Sequence, residues 1–296
     1  MIRIEHFQTN DERQAVISVE GLKRPMTLMH ITDSHMTAAD KRDPEALESA
    51  AHYQESLRKL TPGGVCPQSL FDQAIERSNE LSVDCTILTG DIINFPAHAA
   101  IELIERGVDT LQGPYLYTPG NHDWHFPYLP WNDDTRAAYR PRLAHLADHC
   151  PDAQVMELQG VLLITLDNSN YQVTDGQLDF LRRQLETGKP CLLFVHIPLY
   201  TPALLPQVLE RWKAPIMMAA PCWTEQTRRH WKVRQPDPST TDCHHLLTQG
   251  PSDNLVGVFC GHVHLAHAGE VRPGRLQYVT QEGYRGGYRV IRLNPL

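Results

Sequence analysis

The sequence predicts an α/β fold, and two features of the chain indicate it. Segments of strand length that are rich in apolar residues alternate with segments in which apolar residues recur every three or four positions, as in amphipathic helices. Most of the apolar runs are continuous, which is typical of strands that are covered on both faces. We therefore expect sheets with helices packed outside them.

The predicted elements alternate along most of the chain. Strands are predicted at 2–7, 15–19, 26–32, 85–89, 115–118, 161–166, 191–195, 255–260, 276–280 and 288–293. Helices are predicted at 44–60, 67–81, 97–111, 135–149 and 175–185, and Pro44 and Pro67 are placed as is usual for first helical turns. The last two strands lie among glycines and predict an antiparallel arrangement with turns.

A single domain spanning 1–296 is expected, because 296 residues can form one large α/β unit. Residues 198–250 depart from the alternation and carry seven prolines together with Trp212, Trp223 and Trp231. A long excursion of this kind is a functional lid or a disordered segment, and the tryptophans argue against disorder. We expect a lid-like insertion at about 198–250, followed by C-terminal strands within 268–296.

Composition excludes several classes of protein. The chain has 27 Lys and Arg against 35 Asp and Glu, a net charge of -8, which disfavours a broad nucleic-acid footprint but leaves room for a local basic groove. No apolar run approaches the roughly 18 residues of a membrane span and no signal-peptide stretch is present, so we expect no membrane partner and a cytoplasmic location. Seven cysteines without a C-x-x-C pair indicate neither a disulfide framework nor a thiolate zinc site.

Residues with metal-binding side chains follow five of the predicted strands. In chain order these blocks are Asp33-Ser34-His35, Gly90-Asp91, Gly120-Asn121-His122-Asp123, His196 and Gly261-His262-Val263-His264. Ligands of open α/β sheets bind beyond the carboxyl ends of the strands, so we expect the five loops to converge on one site.

Each block alone has an ordinary interpretation. Asp33 is compatible with a helix cap, Gly90-Asp91 with a turn, and His196 with a hydrogen-bonded core histidine. Their recurrence at the same topological position favours a common site over five coincidences. The candidate ligands offer imidazole, carboxylate and amide groups: Asp33, His35, Asp91, Asn121, His196, His262 and His264. Seven ligands are too many for one tetrahedral zinc and fit two ions of Mn, Fe or Zn.

In their order, the five blocks resemble those of the calcineurin-like metallophosphoesterases. The resemblance extends from about 26 to 267 and implies a four-layer α/β/β/α sandwich with two metals at the strand ends. The ligand sets that it implies share Asp91 as a bridge: Asp33, His35, Asp91 and His264 for one ion, and Asp91, Asn121, His196 and His262 for the other.

Two branches of that family fit less well. Asn94 stands where purple acid phosphatases carry a tyrosine, so a ferric phenolate is not expected. The Gly90-Asp91 block lacks the continuation of the protein Ser/Thr phosphatases, and Asp123 stands where those enzymes have a glutamate. Among the branches of the family, the resemblance therefore favours the bacterial-type group that includes small-molecule phosphatases and phosphodiesterases.

Two metal ions suit phosphoester hydrolysis because they lower the pKa of a bridging water and neutralise the phosphoryl oxygens. We expect hydrolysis of a small phosphomonoester or phosphodiester by a metal-bridging hydroxide. His122 is predicted to protonate the leaving group, and Asp123 either orients His122 or caps the turn. The alternatives are a nuclease with the same chemistry and a non-catalytic scaffold of the same fold.

Three further segments have uncertain roles. The aromatic residues at 124–131 and in the insertion fit a stacking surface for substrate or, more ordinarily, a hydrophobic cluster under a loop. Segment 284–289 offers arginines for a phosphate but also fits a surface hairpin, and segment 167–170 fits site support or a plain turn. Since the insertion lies between His196 and His262, we expect it to border the site and to set substrate choice.

Overall fold

The computed structural model describes residues 2–296, whose strands form two six-stranded sheets. In chain order the strands are β1 (Ile4–Phe7), β2 (Gln14–Val19), β3 (Met26–Ile31), β4 (Cys85–Leu88), β5 (Tyr115–Tyr117), β6 (Ala153–Leu158), β7 (Val161–Leu166), β8 (Cys191–Phe194), β9 (Leu255–Cys260), β10 (His267–Arg272), β11 (Arg275–Val279) and β12 (Arg289–Pro295). The first sheet has the order β1-β2-β12-β3-β4-β5, and the second β10-β11-β9-β8-β7-β6. Strands β3, β4 and β5 are parallel to one another, as are β7, β8 and β9.

Helices connect and cover these strands. The α-helices are α1 (Leu47–Arg58), α2 (Pro67–Glu80), α3 (His98–Val108), α4 (Asp133–Tyr139), α5 (Asp175–Glu186), α6 (Leu205–Trp212), α7 (Glu225–Trp231) and α8 (Pro238–Thr248). Short 3-10 segments lie at Pro44–Ala46, Pro62–Gly64, Arg140–Ala147 and Gly283–Arg285.

Three apolar clusters separate four layers. Leu28, Ile87 and Phe194 belong to the cluster between the two sheets. Side chains of α1, α2 and α3 pack with β3 and β4 on the outer face of the first sheet. Side chains of α5, α6 and α8 pack with β7, β8 and β9 on the outer face of the second. The expected α/β/β/α sandwich is confirmed, and its strands β4, β7, β8 and β9 are buried along their whole length.

Local sequence accounts for the helix positions. Pro67 opens α2, where its missing N–H costs no hydrogen bond, and Phe71, Ala74 and Ile75 form the buried face. In α5, Thr174 and Gln177 form a reciprocal capping box at the N-terminus. Such a cap stabilises a helix by about 1 kcal/mol.

The structure corrects several predicted elements. Strands β6 and β10 were not predicted, since polar residues dilute their apolar character. The predicted helix 135–149 is a short α4 followed by 3-10 helix, because Pro141 cannot donate the backbone hydrogen bond that an α-helix needs there. The C-terminal strands are not simply antiparallel: β11 lies parallel to β9, and β12 lies parallel to β2 and antiparallel to β3.

The segment 198–250, predicted as an insertion, contains α6, α7 and α8. Cys243 and Leu247 of α8 are buried in the outer cluster of the second sheet, so α8 belongs to the helical layer. Helix α6 buries Val208 in the same cluster, and none of the seven residues of α7 is fully buried. Within residues 2–296, no helix is both long and apolar enough to cross a membrane.

Candidate metal centre

Three groups of histidines and carboxylates lie where the ends of β3, β4 and β5 approach the ends of β8 and β9. In each group the ligand atoms lie within 4.8 Å of one another: Asp33, His35 and His264; His35, Asp91 and His122; and Asp91, His196 and His262. The loops that were expected to converge do so, and they come from both sheets.

The first group has a carboxylate oxygen that faces two ring nitrogens. Oδ1 of Asp33 is buried and has no hydrogen-bond partner among residues 2–296, although it lies 3.2 Å from Nε2 of His264. Nε2 of His35 lies 3.2 Å from the same nitrogen and 3.9 Å from that oxygen. A buried polar atom without a partner is costly, and a cation at this point would satisfy all three atoms. The group therefore fits a metal ion.

The third group is arranged around Asp91 and His196. Nε2 of His196 lies 3.2 Å from Oδ2 of Asp91 and 3.2 Å from Oδ1 of Asn121. Nδ1 of His196 lies 2.7 Å from the carbonyl of Thr89, so Nδ1–H donates there and Nε2 faces the group. His262 packs edge-on against His196 with ring centroids 5.1 Å apart. Asn121 thus lies with the six other candidate ligands at the site.

The glycines beside these residues allow the loops to approach closely. A Cβ on Gly120 would lie 2.3 Å from Oδ1 of Asp91, and one on Gly261 would lie 2.2 Å from Oδ2 of Asp33. Both distances are far inside van der Waals contact, so only glycine fits. The packing of one loop against another therefore requires these two glycines.

Backbone strain is concentrated at the same loops. A positive φ costs a non-glycine residue about 1–2 kcal/mol and clusters at functional sites in folded proteins. The candidate ligands that adopt it, with φ between 48° and 68°, are Asp33, His35, Asp91, His262 and His264. The surrounding fold therefore holds five of the seven candidates in a conformation that the chain would not choose locally.

Electrostatics keep the two carboxylates ionised. Burial raises the pKa of Asp33, but the imidazole of His264 outweighs it and the pKa falls below its ordinary value. Burial also raises the pKa of Asp91, but the imidazoles of His196, His122 and His35 together outweigh it, so this pKa lies well below its ordinary value. Ionised carboxylates are the form that binds metals.

The histidines divide into two kinds. Burial lowers the pKa of His35 and of His262 to about 3, so both are neutral and have a lone pair available near neutral pH. Burial also lowers the pKa of His196, but the Asp91 carboxylate outweighs it and raises the pKa to about 9. A proton on His196 competes with any cation for Nε2, so binding of a metal releases that proton.

The chain matches the family model of the calcineurin-like phosphoesterases over residues 26–266. It is a member of the calcineurin-like phosphoesterase family. Membership makes the protein a metal-dependent hydrolase of phosphoric esters. No curated protein sequence matches the chain.

Solved structures share the fold at low sequence identity. A dimetal phosphatase from Danio rerio superposes with a TM-score of 0.54 and 11% identity, covering 90% of this chain and 91% of that one. A purple acid phosphatase from yellow lupin (Lupinus luteus) seeds superposes with a TM-score of 0.55 and 12% identity, covering 92% of this chain and 47% of that one. These similarities support the phosphoesterase fold of the chain.

In this calcineurin-like phosphoesterase, Asn94 contacts His35, Thr37 and His122, which the sequence pattern does not predict. Its Oδ1 accepts from Nδ1 of His35 at 2.8 Å, and its Nδ2 donates to the hydroxyl of Thr37 at 2.7 Å. Its carbonyl lies 3.2 Å from Nδ1 of His122. One residue thus orients a candidate ligand and the predicted proton donor.

Asp123 has a different environment from the one expected of a partner of His122. It is fully buried and accepts hydrogen bonds from the N–H of Gly120 at 2.8 Å, the N–H of Ile93 at 3.1 Å and the hydroxyl of Tyr117 at 3.0 Å. No hydrogen bond joins it to His122 among residues 2–296. The geometry favours the alternative of a carboxylate that holds the turn.

Two tyrosines outside the five blocks lie beside the loop that carries His262 and His264, which we call the two-histidine loop. The hydroxyl of Tyr171 lies 2.8 Å from Nε2 of His262, and that of Tyr284 lies 3.4 Å from Nδ1 of His264. Tyr284 is only 6% exposed, so the surface-hairpin interpretation of segment 284–289 is wrong for this residue. Asp167, also buried, binds Arg136 and Arg140 and supports the loop after β7.

Proposed function

We propose that this protein hydrolyses a small phosphomonoester or phosphodiester with two bound ions of Mn, Fe or Zn. The observation that carries the proposal is the convergence of three carboxylate and histidine groups whose ligand atoms lie within 4.8 Å of one another. Imidazole and carboxylate ligands without sulfur suit these borderline ions.

The proposal assigns ligands in two overlapping sets. One ion is assigned to Asp33, His35, Asp91 and His264, and the other to Asp91, Asn121, His196 and His262. The unpartnered Oδ1 of Asp33 supports the first set, and the position of Nε2 of His196 between Asp91 and Asn121 supports the second. Two such ions, when bound, neutralise the phosphoryl oxygens and activate water as the nucleophile.

His122 is the proposed proton donor to the leaving group. Its Nδ1 lies 3.2 Å from the Asn94 carbonyl, so an Nδ1–H donates there and Nε2 remains to deliver a proton. The ring packs edge-on against His35 at a centroid distance of 4.9 Å, which supports a role beside the proposed ions. A ring nitrogen of His122 lies within 4.8 Å of ligand atoms of His35 and Asp91, which supports transfer of a proton to a leaving oxygen at the centre.

The proposed substrate class is argued from the net charge of the chain. A net charge of -8 opposes the binding of a long polyanion, whereas a small ester needs only the local charge of the centre. A small phosphoester is therefore proposed in preference to nucleic acid.

Turnover by protein of known metal content tests the proposal. Metal-stripped protein reloaded with Mn, Zn or Fe(II) should hydrolyse at least one class among alkyl monoesters, cyclic nucleotides and linear diesters, and stripped protein should hydrolyse none. Absence of turnover by protein that holds two ions would instead indicate a non-catalytic scaffold of the same fold. Preferred cleavage of oligonucleotides, with a steep salt dependence, would make the protein a nuclease.

A further inference from the structure

The C-terminal end of α6 contacts the loop that carries two candidate ligands. Nε1–H of Trp212 donates a 2.8 Å hydrogen bond to the carbonyl of Val263, the residue between His262 and His264. The Trp212 ring also packs edge-on against the His264 imidazole, with centroids 5.2 Å apart and planes at 74°. One side chain from the segment 198–250 thus touches both the backbone and a side chain of the loop.

This loop depends on contacts from outside itself. His262 and His264 both have positive φ, at 68° and 52°, and such residues keep this conformation only where the surroundings enforce it. Val263 between them is completely buried, so a carbonyl that lost its partner there would be costly. The hydrogen bond from Trp212 satisfies that carbonyl.

The residue before Trp212 makes a second attachment. Arg211 donates to Oε1 of Glu282 at 3.1 Å, and Glu282 is almost completely buried. Glu282 directly precedes Gly283–Arg285, whose central Tyr284 lies next to Nδ1 of His264. The end of α6 is therefore attached to two loops. One loop carries His264, and the other contacts it through Tyr284.

The other histidine of the loop has its own supports. Nε2 of His262 lies 2.8 Å from the hydroxyl of Tyr171, and the backbone N–H of His262 donates to Oδ2 of Asp33 at 2.9 Å. His262 is thus held from two sides without Trp212. Nε2 of His264 faces the proposed ion beside Asp33 and His35, and on the other side of the ring Nδ1 has a 3.4 Å contact to the Tyr284 hydroxyl. Loss of Trp212 should move His264 more than His262.

We propose that Trp212 is a positioning residue for His264, and that α6 thereby tunes the affinity of one metal site of the pair. This proposal rests on the proposed function, since it assumes that His264 is a ligand. It also gives the segment 198–250 a part in metal binding, beyond a role in substrate choice. Residues that orient metal ligands typically change metal affinity by 10-fold to 100-fold when they are replaced.

Substitution of Trp212 by phenylalanine removes the N–H and keeps an aromatic ring. Calorimetric titration of stripped protein with Mn or Zn, checked by metal analysis after dialysis, should show the affinity of one site reduced on the order of 10-fold and the other unchanged. The matched control is Trp231→Phe. Trp231 packs on Trp212 at a centroid distance of 5.8 Å and its side chain makes no hydrogen bond among residues 2–296, so both affinities should stay at wild-type values.

A second replacement separates positioning from folding. Incorporation of 3-benzothienylalanine at position 212 exchanges the N–H for sulfur in a ring of nearly the same shape, and it should reproduce the selective loss. Equal weakening of both sites, or wild-type affinities in both Trp212 variants, would overturn the proposal. Failure of the wild-type protein to bind two ions would instead overturn the proposed function.

Discussion

The backbone N–H of His122 donates a 2.7 Å hydrogen bond to Oδ1 of Asp91. Oδ2 of the same carboxylate lies 3.2 Å from Nε2 of His196 and 3.9 Å from Nε2 of His35. Because the backbone N–H of His122 occupies Oδ1, it is Oδ2 of Asp91 that faces His196 and His35. A single hydrogen bond therefore orients the proposed bridging ligand and fixes the peptide that carries the proposed proton donor.

Replacement of Asp91 by alanine should abolish turnover and the binding of both ions together. The reason is that Asp91 belongs to two of the three groups, and among the described residues no other carboxylate belongs to more than one. Metal analysis of the dialysed variant measures the effect. Asp179→Ala, an exposed acidic residue on α5, is the control and should retain two equivalents. Retention of two ions with normal turnover in the Asp91 variant would contradict the bridging assignment.

Replacement of His122 by alanine should slow alkyl esters by about 10²–10⁴-fold and activated aryl esters much less. A proton donor matters when the leaving oxygen is basic and matters little when it is already a stable anion. The measurement is kcat/KM over a series of leaving groups, with metal content determined in parallel. His145→Ala is the control, since that histidine is exposed and pairs only with Glu105 among the described residues. A uniform loss over the series, or loss of an ion, would make His122 a binding residue or a ligand.

The chemistry of the site could be predicted because its residues follow strands directly. A strand end such as Leu88, three residues before Asp91, is recognisable from a continuous apolar run. Parallel strands then bring their carboxyl ends to one edge. The sequence therefore indicated the seven candidate ligands without any knowledge of the loops between the strands.

The supports of those ligands could not be predicted from the same pattern. Tyr171 and Trp212 contact the two-histidine loop from positions 91 and 51 residues away in the sequence, and no spacing encodes these contacts. The partner of Asp123 depends on its side-chain direction, which the sequence leaves open between His122 and the turn. Strand β10 was missed because its glycine and charged residues hide a pairing that only the neighbouring β11 supplies.

Replacement of Asp123 by alanine should destabilise the fold by at least about 3 kcal/mol and leave the leaving-group dependence of turnover unchanged. Three buried donors lose their acceptor, and each such loss costs about 1–3 kcal/mol. Urea unfolding of the metal-free protein measures the first effect, and the ratio of alkyl to aryl ester rates measures the second. If Asp123 instead orients His122, that ratio will fall as it does in His122→Ala.

Asp167 should be a strong contributor to stability in this part of the fold. Its carboxylate is completely buried and binds Arg136 and Arg140, whose side chains are 19% and 18% exposed. Asp167→Asn removes the charge, leaving the partly buried Arg136 without a carboxylate and Arg140 with the exposed Asp152 alone, so we expect a loss of roughly 3–5 kcal/mol in the free energy of unfolding at neutral pH. Asp152→Asn is the matched control, because Asp152 pairs with the same Arg140 but is 60% exposed. That control should lose less than about 1 kcal/mol.

The effect of Asp167 should also depend on pH in a defined direction. Burial raises the pKa of this carboxyl, but Arg136 and Arg140 outweigh it and the pKa in the folded state is lowered. A group of this kind stabilises the fold fully above its unfolded pKa, about 3.9, and loses that contribution as the pH falls through the folded value. The difference in unfolding free energy between wild type and Asp167→Asn should therefore be constant near neutral pH and shrink below about pH 4. Urea unfolding from pH 7 to pH 3 measures it, and a difference that grows on acidification would show that the arginines do not stabilise the ionised carboxylate.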